Sequence, residues 1–298
     1  MHQPARVVMT HPDRLVFPDL AITKRDVADY YDAVMSRFLP CVAGRPTSVK
    51  RYPEGIGKEG FFQKHPMRGL KHVGSIRLRE ESGELADYLC PRDATAIMEL
   101  VQFGTIEFHP WAAREGSLEE VDYLVLDLDP APGLAWSEVI EAARHVRGRL
   151  ADVGMRSFVR TTGGKGLHVL APLHSGCSWE DAMGFSRGFA QRLAEEQPQS
   201  FVAKAAKLER TGRIFIDYLR NSRGATSVAS YSLRARAGAP VAMPLRWQEL
   251  GKCEHGAMFD LAAARRRVAR LRSDPWEGFA SLRQALDKGA WQDGDAAA

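Results

Sequence analysis

Between residues 123 and 219 four short apolar runs and two helical repeats follow one another in the order strand, helix, strand, strand, helix, strand. YLVLDLDP (123–130) reads as the first strand. SEVIEAARHVRGRLADVG then sets Val139, Ile140, Ala143, Val146, Leu150 and Val153 on one helical face. SFVRTT is a second strand, GGKG a turn and LHVLAPL a third strand. SWEDAMGFSRGFAQRLAEE opens a second amphipathic helix with Ser178 three residues before Asp181, a variant of the capping box. RIFIDYL closes the set as a fourth strand.

This β-α-β-β-α-β order is that of the ferredoxin-like or RRM-like unit. In it the first strand lies centrally between the third and the fourth, both helices cover one sheet face, and the other face is free. Side chains alternate along a strand. Leu124, Leu126 and Leu128 therefore belong to the helix-covered face, and Tyr123, Val125, Asp127 and Asp129 to the free one. In the fourth strand Ile214, Ile216 and Tyr218 fall on the helix side, leaving Phe215, Asp217 and Leu219 on the free side.

An ionised carboxylate in an apolar run is unfavourable unless positive charge meets it. Asp127 and Asp129 stand ~6.7 Å apart along their strand, and the neighbouring strand that brings Asp217 lies ~4.8 Å away. Three carboxylates at that spacing can bridge two hard cations ~3.5–4 Å apart, the arrangement of two-metal phosphoryl transfer. Without metal they would repel and raise one another's pKa values. Taken singly each has a plainer reading, a strand-end cap for Asp127 and a surface ion pair with Arg220 for Asp217. Their occurrence on matching faces favours metal.

RTTGGKGLHV adds a second constellation. Gly163, Gly164 and Gly166 let backbone N–H groups point at one spot, and Lys165 and Arg160 bring positive charge. Thr162 offers a hydroxyl, and His168 an imidazole at the start of the third strand. The set can cradle a triphosphate, although it is not the GxxxxGK[ST] loop. A Gly-rich turn or a strand histidine alone is more often structural; adjacency to the aspartates gives these two their interest.

The 298 residues suffice for one large domain or two lobes, with 45% hydrophobic and 26% charged residues as in an ordinary globular protein. A net charge of +4 permits a polyanionic partner without demanding one. No run approaches the ~20 apolar residues of a membrane span, and the first residues lack the apolar core of a secretory signal. Cys41, Cys90, Cys177 and Cys253 stand far apart with no CxxC pair, which suits reduced cytoplasmic thiols. Cys253 and His255 in KCEH are expected at the surface. QDGDAAA at the end reads as a frayed tail. In the first hundred residues, TKRDVADYYDAVMSRFL has helical spacing behind a Thr23 cap, and GRPTSVKRYPEG reads as a strand leaving a turn.

DLDP at 127–130, TTGGKGLHV at 161–169 and RIFIDYLRNSRGATSVASYSLRAR at 213–236 resemble the three motifs of the archaeo-eukaryotic primase superfamily. More closely, they resemble the polymerase domain of bacterial DNA ligase D, from about HPDRLVFPD to DPWEGF. The resemblance implies an α+β primase-polymerase fold: a single catalytic domain over 1–298, with an N-terminal α/β lobe over about 1–118 and an RRM-like βαββαβ catalytic lobe over about 119–298. It implies that Asp127, Asp129 and Asp217 hold two Mn²⁺ or Mg²⁺ ions for nucleotidyl transfer from NTPs or dNTPs, with ribonucleotides preferred. Lys50, Thr162, His168, Arg220 and Arg234 match positions that bind the nucleotide or its phosphates, and His109 a position near the sugar and its 2′-hydroxyl. Phe61 and Phe62 match residues that stack on template bases, a sequence-tolerant contact. Arg14 and Lys24 match a pocket for the 5′-phosphate of the downstream strand.

Two positions depart from the family pattern. Thr162 stands where serine is usual, and Arg14 where lysine is common; hydroxyl and charge are kept. No adenylating KxDG motif and no phosphoesterase domain occurs in the sequence. The implied role is gap filling and end extension in bacterial non-homologous end joining. The implied setting is a monomer in the nucleoid-bearing cytoplasm, acting on gapped, overhanging or 5′-phosphorylated DNA. Its implied partners are a Ku-type end-binding protein and a ligase, as another domain or another chain. Three alternatives stay open: a stand-alone primase-polymerase for excision-repair gaps, a metal-dependent nuclease or phosphohydrolase, and a non-catalytic RRM-like binder. The last would carry surface aromatics where the aspartates stand.

Overall fold

A computed structural model describes residues 7–287, except 81, 175 and the side chain of 207; the QDGDAAA tail lies outside the described residues. The chain divides into two compact units. One takes the chain up to Gly116 together with Thr226–Met243 and Phe259–Asp274. The other takes Ser117–Ala225, Pro244–Met258 and the chain from Pro275.

In the first unit β1 (Leu15–Phe17) and β2 (Ile22–Thr23) pair ahead of α1 (Lys24–Val42). The Thr23 hydroxyl accepts from the Asp26 N–H while the Asp26 carboxylate accepts from the Thr23 N–H, so two otherwise unpaired donors of the first turn are satisfied. Tyr30, Tyr31, Val34, Phe38 and Val42 line the buried face at helical spacing. Next come β3 (Thr47–Arg51), β4 (Phe61–Gln63), β5 (Gly74–Arg79), β6 (Leu85–Cys90), α2 (Ala94–Gln102) and β7 (Thr105–Pro110). They form a sheet of order β4-β3-β7 and a separate β5-β6 hairpin.

The second unit holds β8 (Tyr123–Pro130), α3 (Trp136–Asp152), β9 (Phe158–Thr161), β10 (Leu167–Pro172), α4 (Trp179–Glu196), β11 (Phe201–Val202), β12 (Ile214–Asp217) and β13 (Pro244–Leu245). Their sheet has the order β11-β12-β8-β10-β9-β13, so β8 lies between β10 and β12 as the β-α-β-β-α-β reading requires. The short strands β11 and β13 extend the two edges. The chain then adds α5 (Leu261–Arg270), which belongs to the first unit.

Leu124, Leu126 and Leu128 are fully buried, as are Val139, Ala143, Val146 and Leu150 of α3; Val153 lies past the end of that helix and is half-buried. Two expectations need correction. The fourth strand stops at Asp217, and residues 219–221 turn in a short 3-10 helix, so Tyr218 and Leu219 have no strand face. The face expected to be free is largely covered, because Tyr123, Val125 and Phe215 are buried. The Phe279 ring packs 5.8 Å from that of Tyr123, and the Arg210 guanidinium lies 3.9 Å above the Phe215 ring. Asn221 bears on the first correction and on the burial of Val125. Where β12 ends, Val125 loses its strand partner on that side, and the Asn221 side chain replaces it. Its Oδ1 accepts from the Val125 N–H and its Nδ2 donates to the Val125 carbonyl, both at 2.8 Å.

Candidate active site

In the second unit, strand register lines up the chemistry. Arg160 is paired with His168, His168 with Asp127, and Asp127 with Asp217. Directly opposed residues on neighbouring strands bring their side chains together on one face. Arg160 donates to His168 Nδ1 from Nη2 at 2.9 Å and from Nε at 3.1 Å. A guanidinium can only donate, so Nδ1 is an acceptor and the imidazole proton sits on Nε2, 3.4 Å from Asp127 Oδ2. Burial pulls the His168 pKa down to about 4 against the opposing pull of Asp127, so the ring is neutral.

Arg220 Nε lies 3.2 Å from Asp217 Oδ2 and 3.6 Å from Asp127 Oδ2, spanning both acids. Burial alone would raise the Asp127 pKa, but the hydrogen bond from the His168 Nε2–H and the charges of Arg220 and Arg160 hold it below the usual carboxylate range. Burial and the neighbouring Asp127 push Asp217 upward, Arg220 only partly opposing. Asp129 shares their face but is held elsewhere: Oδ1 is 3.0 Å from Lys165 Nζ, and Oδ2 accepts from Arg210 Nη1 at 3.1 Å. The expected gathering of three acids is therefore a pair plus a third turned to its own cations. Among the described residues, no three Asp, Glu, His or Cys side chains come together to hold a metal. The donor chemistry nonetheless fits a hard divalent cation. Two carboxylates face each other on one ladder rung, at mutual cost, and a single guanidinium bridges them.

The glycine turn differs from the expected cradle. Gly163, at φ +65°, donates its N–H to the Gly256 carbonyl, and Gly164 donates to the Thr162 hydroxyl. Thr162 is buried and its hydroxyl donates to the Gly166 carbonyl at 3.1 Å. These amides and this hydroxyl hold the turn together. Glycine is required at 166, where a Cβ would collide with the Leu128 carbonyl. Lys165 extends to the Pro130 carbonyl and to Asp129. Cys253 is buried rather than exposed, its thiol donating to the His255 carbonyl.

In the first unit Phe62, Lys50 and Glu107 form one row across β4, β3 and β7, and His109 stands two residues along on the same face as Glu107. Glu107 escapes the sequence reading, although its i, i+2 spacing to His109 on a strand is a usable signal. Its buried carboxylate takes His109 Nε2 at 2.9 Å, Arg234 Nε at 2.9 Å and the Ala235 N–H at 2.8 Å. Burial would raise its pKa, but the His109 hydrogen bond and the Arg234 charge outweigh it and bring it to about 2. Arg234 arrives here because Tyr231, at φ +66°, turns the preceding segment, and the Tyr231 carbonyl accepts from the buried Tyr30 hydroxyl at 2.8 Å.

Phe62 meets the His109 ring edge-on at 5.7 Å, and Lys50 Nζ lies 5.3 Å over the Tyr52 ring. Phe61 and Phe62, successive on β4, leave opposite faces of the strand; both are exposed. Arg14 and Lys24 line a cavity of about 250 Å³ with His11, Arg51 and Gln102. Arg14 Nη1 donates to the Pro53 carbonyl and to Glu54, and Lys24 Nζ to the Thr10 carbonyl and Gln102.

The family model of the LigD primase-polymerase domain matches residues 23–276. The multifunctional non-homologous end joining protein LigD of Pseudomonas aeruginosa is 40% identical over 285 residues, 95% of this chain and 34% of that protein. LigD of Mycobacterium tuberculosis is 35% identical over 82% of this chain and 33% of its own length. The chain thus spans about a third of the length of these curated relatives. Among solved structures, the polymerase domain of Mycobacterium tuberculosis ligase D in complex with DNA superposes with a TM-score of 0.86. It is 32% identical and covers 93% of this chain and 99% of its own. A mixed α/β fold of this kind, with acids facing each other on two neighbouring strands, is that of a polymerase-type nucleotidyltransferase. Within that class, the chain belongs to the family of LigD primase-polymerase domains.

Proposed function

We propose that the chain is a DNA-directed polymerase that fills gaps and extends ends in bacterial non-homologous end joining, preferring ribonucleotides. The observation that carries this reading is the Arg160–His168–Asp127–Asp217 rung in a chain of this family. The likeness to a polymerase domain solved in complex with DNA supports the substrate class.

Asp127, Asp217 and Asp129 would hold two Mn²⁺ or Mg²⁺ ions, with Asp129 released from Lys165 and Arg210. When bound, such ions supply charge neutralisation on the triphosphate and make the primer 3′-hydroxyl more acidic. The protein's own part is positioning. Arg160 fixes the His168 tautomer, His168 orients Asp127 through its Nε2–H, and Arg220 is available to the phosphates once the acids are otherwise neutralised. Lys50, Thr162 and Arg234 are assigned to the nucleotide with His168 and Arg220, and His109, steadied by Glu107, to its sugar. The 3′-hydroxyl oxygen attacks the α-phosphate as its proton passes to water, the bond to the β-phosphate bridge breaks, and pyrophosphate leaves. Arg14 and Lys24 would receive a 5′-phosphate, and Phe61 and Phe62 would stack on template bases. A Ku-type end-binding protein, a ligase, the nucleoid setting and a monomeric state complete the reading. Among the described residues, no helix is long and apolar enough to cross a membrane.

The test is primer extension on a gapped, 5′-phosphorylated duplex with Mn²⁺ and all four NTPs or dNTPs. Elongation is expected, with NTPs used better. Asp127→Ala should abolish it while DNA binding persists. Shortening of the DNA without added triphosphates would indicate a nuclease instead.

A further inference from the structure

Helix α5 carries charge that the polymerase chemistry leaves unused. LAAARRRVARLR (261–272) holds five arginines and no acid, a local excess above the +4 of the whole chain. Leu261, Ala264 and Val268 form its buried side. Arg266 and Arg270 are exposed on the opposite side, Arg265 is exposed on the flank of the buried side, and Arg272 is exposed just beyond the helix. Arg265 and Arg270 are separated by ~7.5 Å along the axis, a reach that spans successive phosphates recurring every ~3.4 Å along each strand of a duplex.

None of these four arginines makes an ion pair among the described residues. On α3 and α4 pairing varies: Arg144 pairs with Glu141, Arg149 with Asp152 and Glu196, and Arg192 with Glu195, whereas the exposed Arg147 lies over the Trp247 ring and the exposed Arg187 makes no ion pair among the described residues. Like charges four residues apart, as Arg266 and Arg270 are, weaken a helix unless something else neutralises them. The patch also has a neighbour. α5 packs on α1, whose first residue, Lys24, lines the Arg14 cavity, and Arg265 is close enough to Asp26 in that same first turn to act on its carboxyl. Asp26 is engaged by Thr23, and the exposed Arg25 is paired with Asp13.

We propose that Arg265, Arg266, Arg270 and Arg272 form a second DNA contact that grips the phosphate backbone of the downstream duplex beyond its 5′-phosphate. The proposal rests on reading the Arg14–Lys24 cavity as the 5′-phosphate site. It makes affinity depend on the length of the downstream duplex, and it makes that dependence electrostatic.

The experiment compares gapped, 5′-phosphorylated DNA whose downstream arm is about one or about two helical turns long. Affinity is measured across a salt series for the full chain, for the variant R265Q/R266Q/R270Q/R272Q and for its lysine counterpart R265K/R266K/R270K/R272K. The expected result is tighter binding of the long arm by the unmodified chain, with a steeper salt slope. In the glutamine variant that advantage disappears and the slope falls by about 0.9 for each phosphate no longer neutralised. The lysine variant keeps both. Three outcomes would overturn the proposal: equal binding of the two arms by the unmodified chain, an undiminished advantage in the glutamine variant, or its disappearance in the lysine variant, since there the charge is intact. Failure to bind either DNA would overturn the polymerase reading as well, whereas binding without an arm-length effect overturns the α5 contact alone.

Discussion

Glu107 is the residue on which the first unit's polar cluster depends. It is buried, ionised, and accepts from His109, Arg234 and the Ala235 N–H. Glu107→Gln keeps the shape but leaves the Arg234 charge without its counter-ion, which should cost about 3 kcal/mol in chemical unfolding. On the proposed assignment of His109 and Arg234 to the nucleotide, it should also raise the nucleotide KM by about tenfold or more with a smaller drop in kcat, because binding groups rather than reacting ones are displaced. Its pH signature has a definite sign. A carboxyl held at about 2 in the folded chain and near 4.5 unfolded adds stability that is present above pH 4.5 and lost as pH falls from there through 2. Acid titration of the variant should lack that loss. Lys24 behaves in the opposite way. Burial, and secondarily the charge of Arg14, lowers its pKa to about 8 from 10.5. Its ammonium therefore opposes folding below pH 8, an opposition relieved as pH rises from 8 towards 10.5. On the proposed reading a bound 5′-phosphate needs the charged form, so a preference for 5′-phosphate over 5′-hydroxyl DNA is expected to weaken as pH passes about 8. Lys24→Met should flatten that profile, as competition binding at about pH 7 and about pH 9 would record.

At the scale of elements, β12 is short because Asn221 takes over its role along β8. Asn221→Ala would strand the N–H and carbonyl of Val125 within a buried sheet. It should lower stability by about 2 kcal/mol or more and reduce primer extension further, through displacement of Arg220 from Asp127 and Asp217. A melting curve beside an extension assay separates the two effects. Most of the element order was legible: helical spacing, the Thr23 and Ser178 caps, and alternation along YLVLDLDP are local signals, and strand order follows from handed connections. What was not legible depends on distant partners. That β12 ends at Asp217, that Tyr123, Val125 and Phe215 are covered, and that the Gly163 N–H serves Gly256 are set largely by residues far away along the chain. Two-residue strands such as β11 and β13 are too short to show any alternation. Asp127 and Asp217 could be placed on one face by counting, yet the turn of Asp129 towards Lys165 and Arg210 could not, because it is a choice of rotamer.

At the scale of the molecule, each unit is assembled from separated stretches of chain, and Thr226–Met243 and Phe259–Asp274 complete the first. Tyr30 and Tyr31 of α1 are fully buried, with the Tyr30 hydroxyl on the Tyr231 carbonyl and the Leu233 N–H on the Tyr31 hydroxyl. A fragment of residues 7–116 should therefore retain helical far-UV dichroism but lose the near-UV tyrosine signal and cooperative melting, since its core lacks those stretches of chain. Recovery of a cooperative transition on that fragment alone would show that the returning segments are dispensable.

The rung shared by Arg160, His168, Asp127 and Asp217 makes residue number a chemical variable. Surface turns commonly accept insertions, but one extra residue within β10, or in the approach to β12, that slipped the pairing by one place would move every later side chain on that strand to the reverse side of the pleat. The hydrophobic composition would be unchanged and the acids would still be in the gene product, yet base and cation would no longer face each other. Length along these two stretches is thus as tightly specified as the identity of the catalytic candidates themselves.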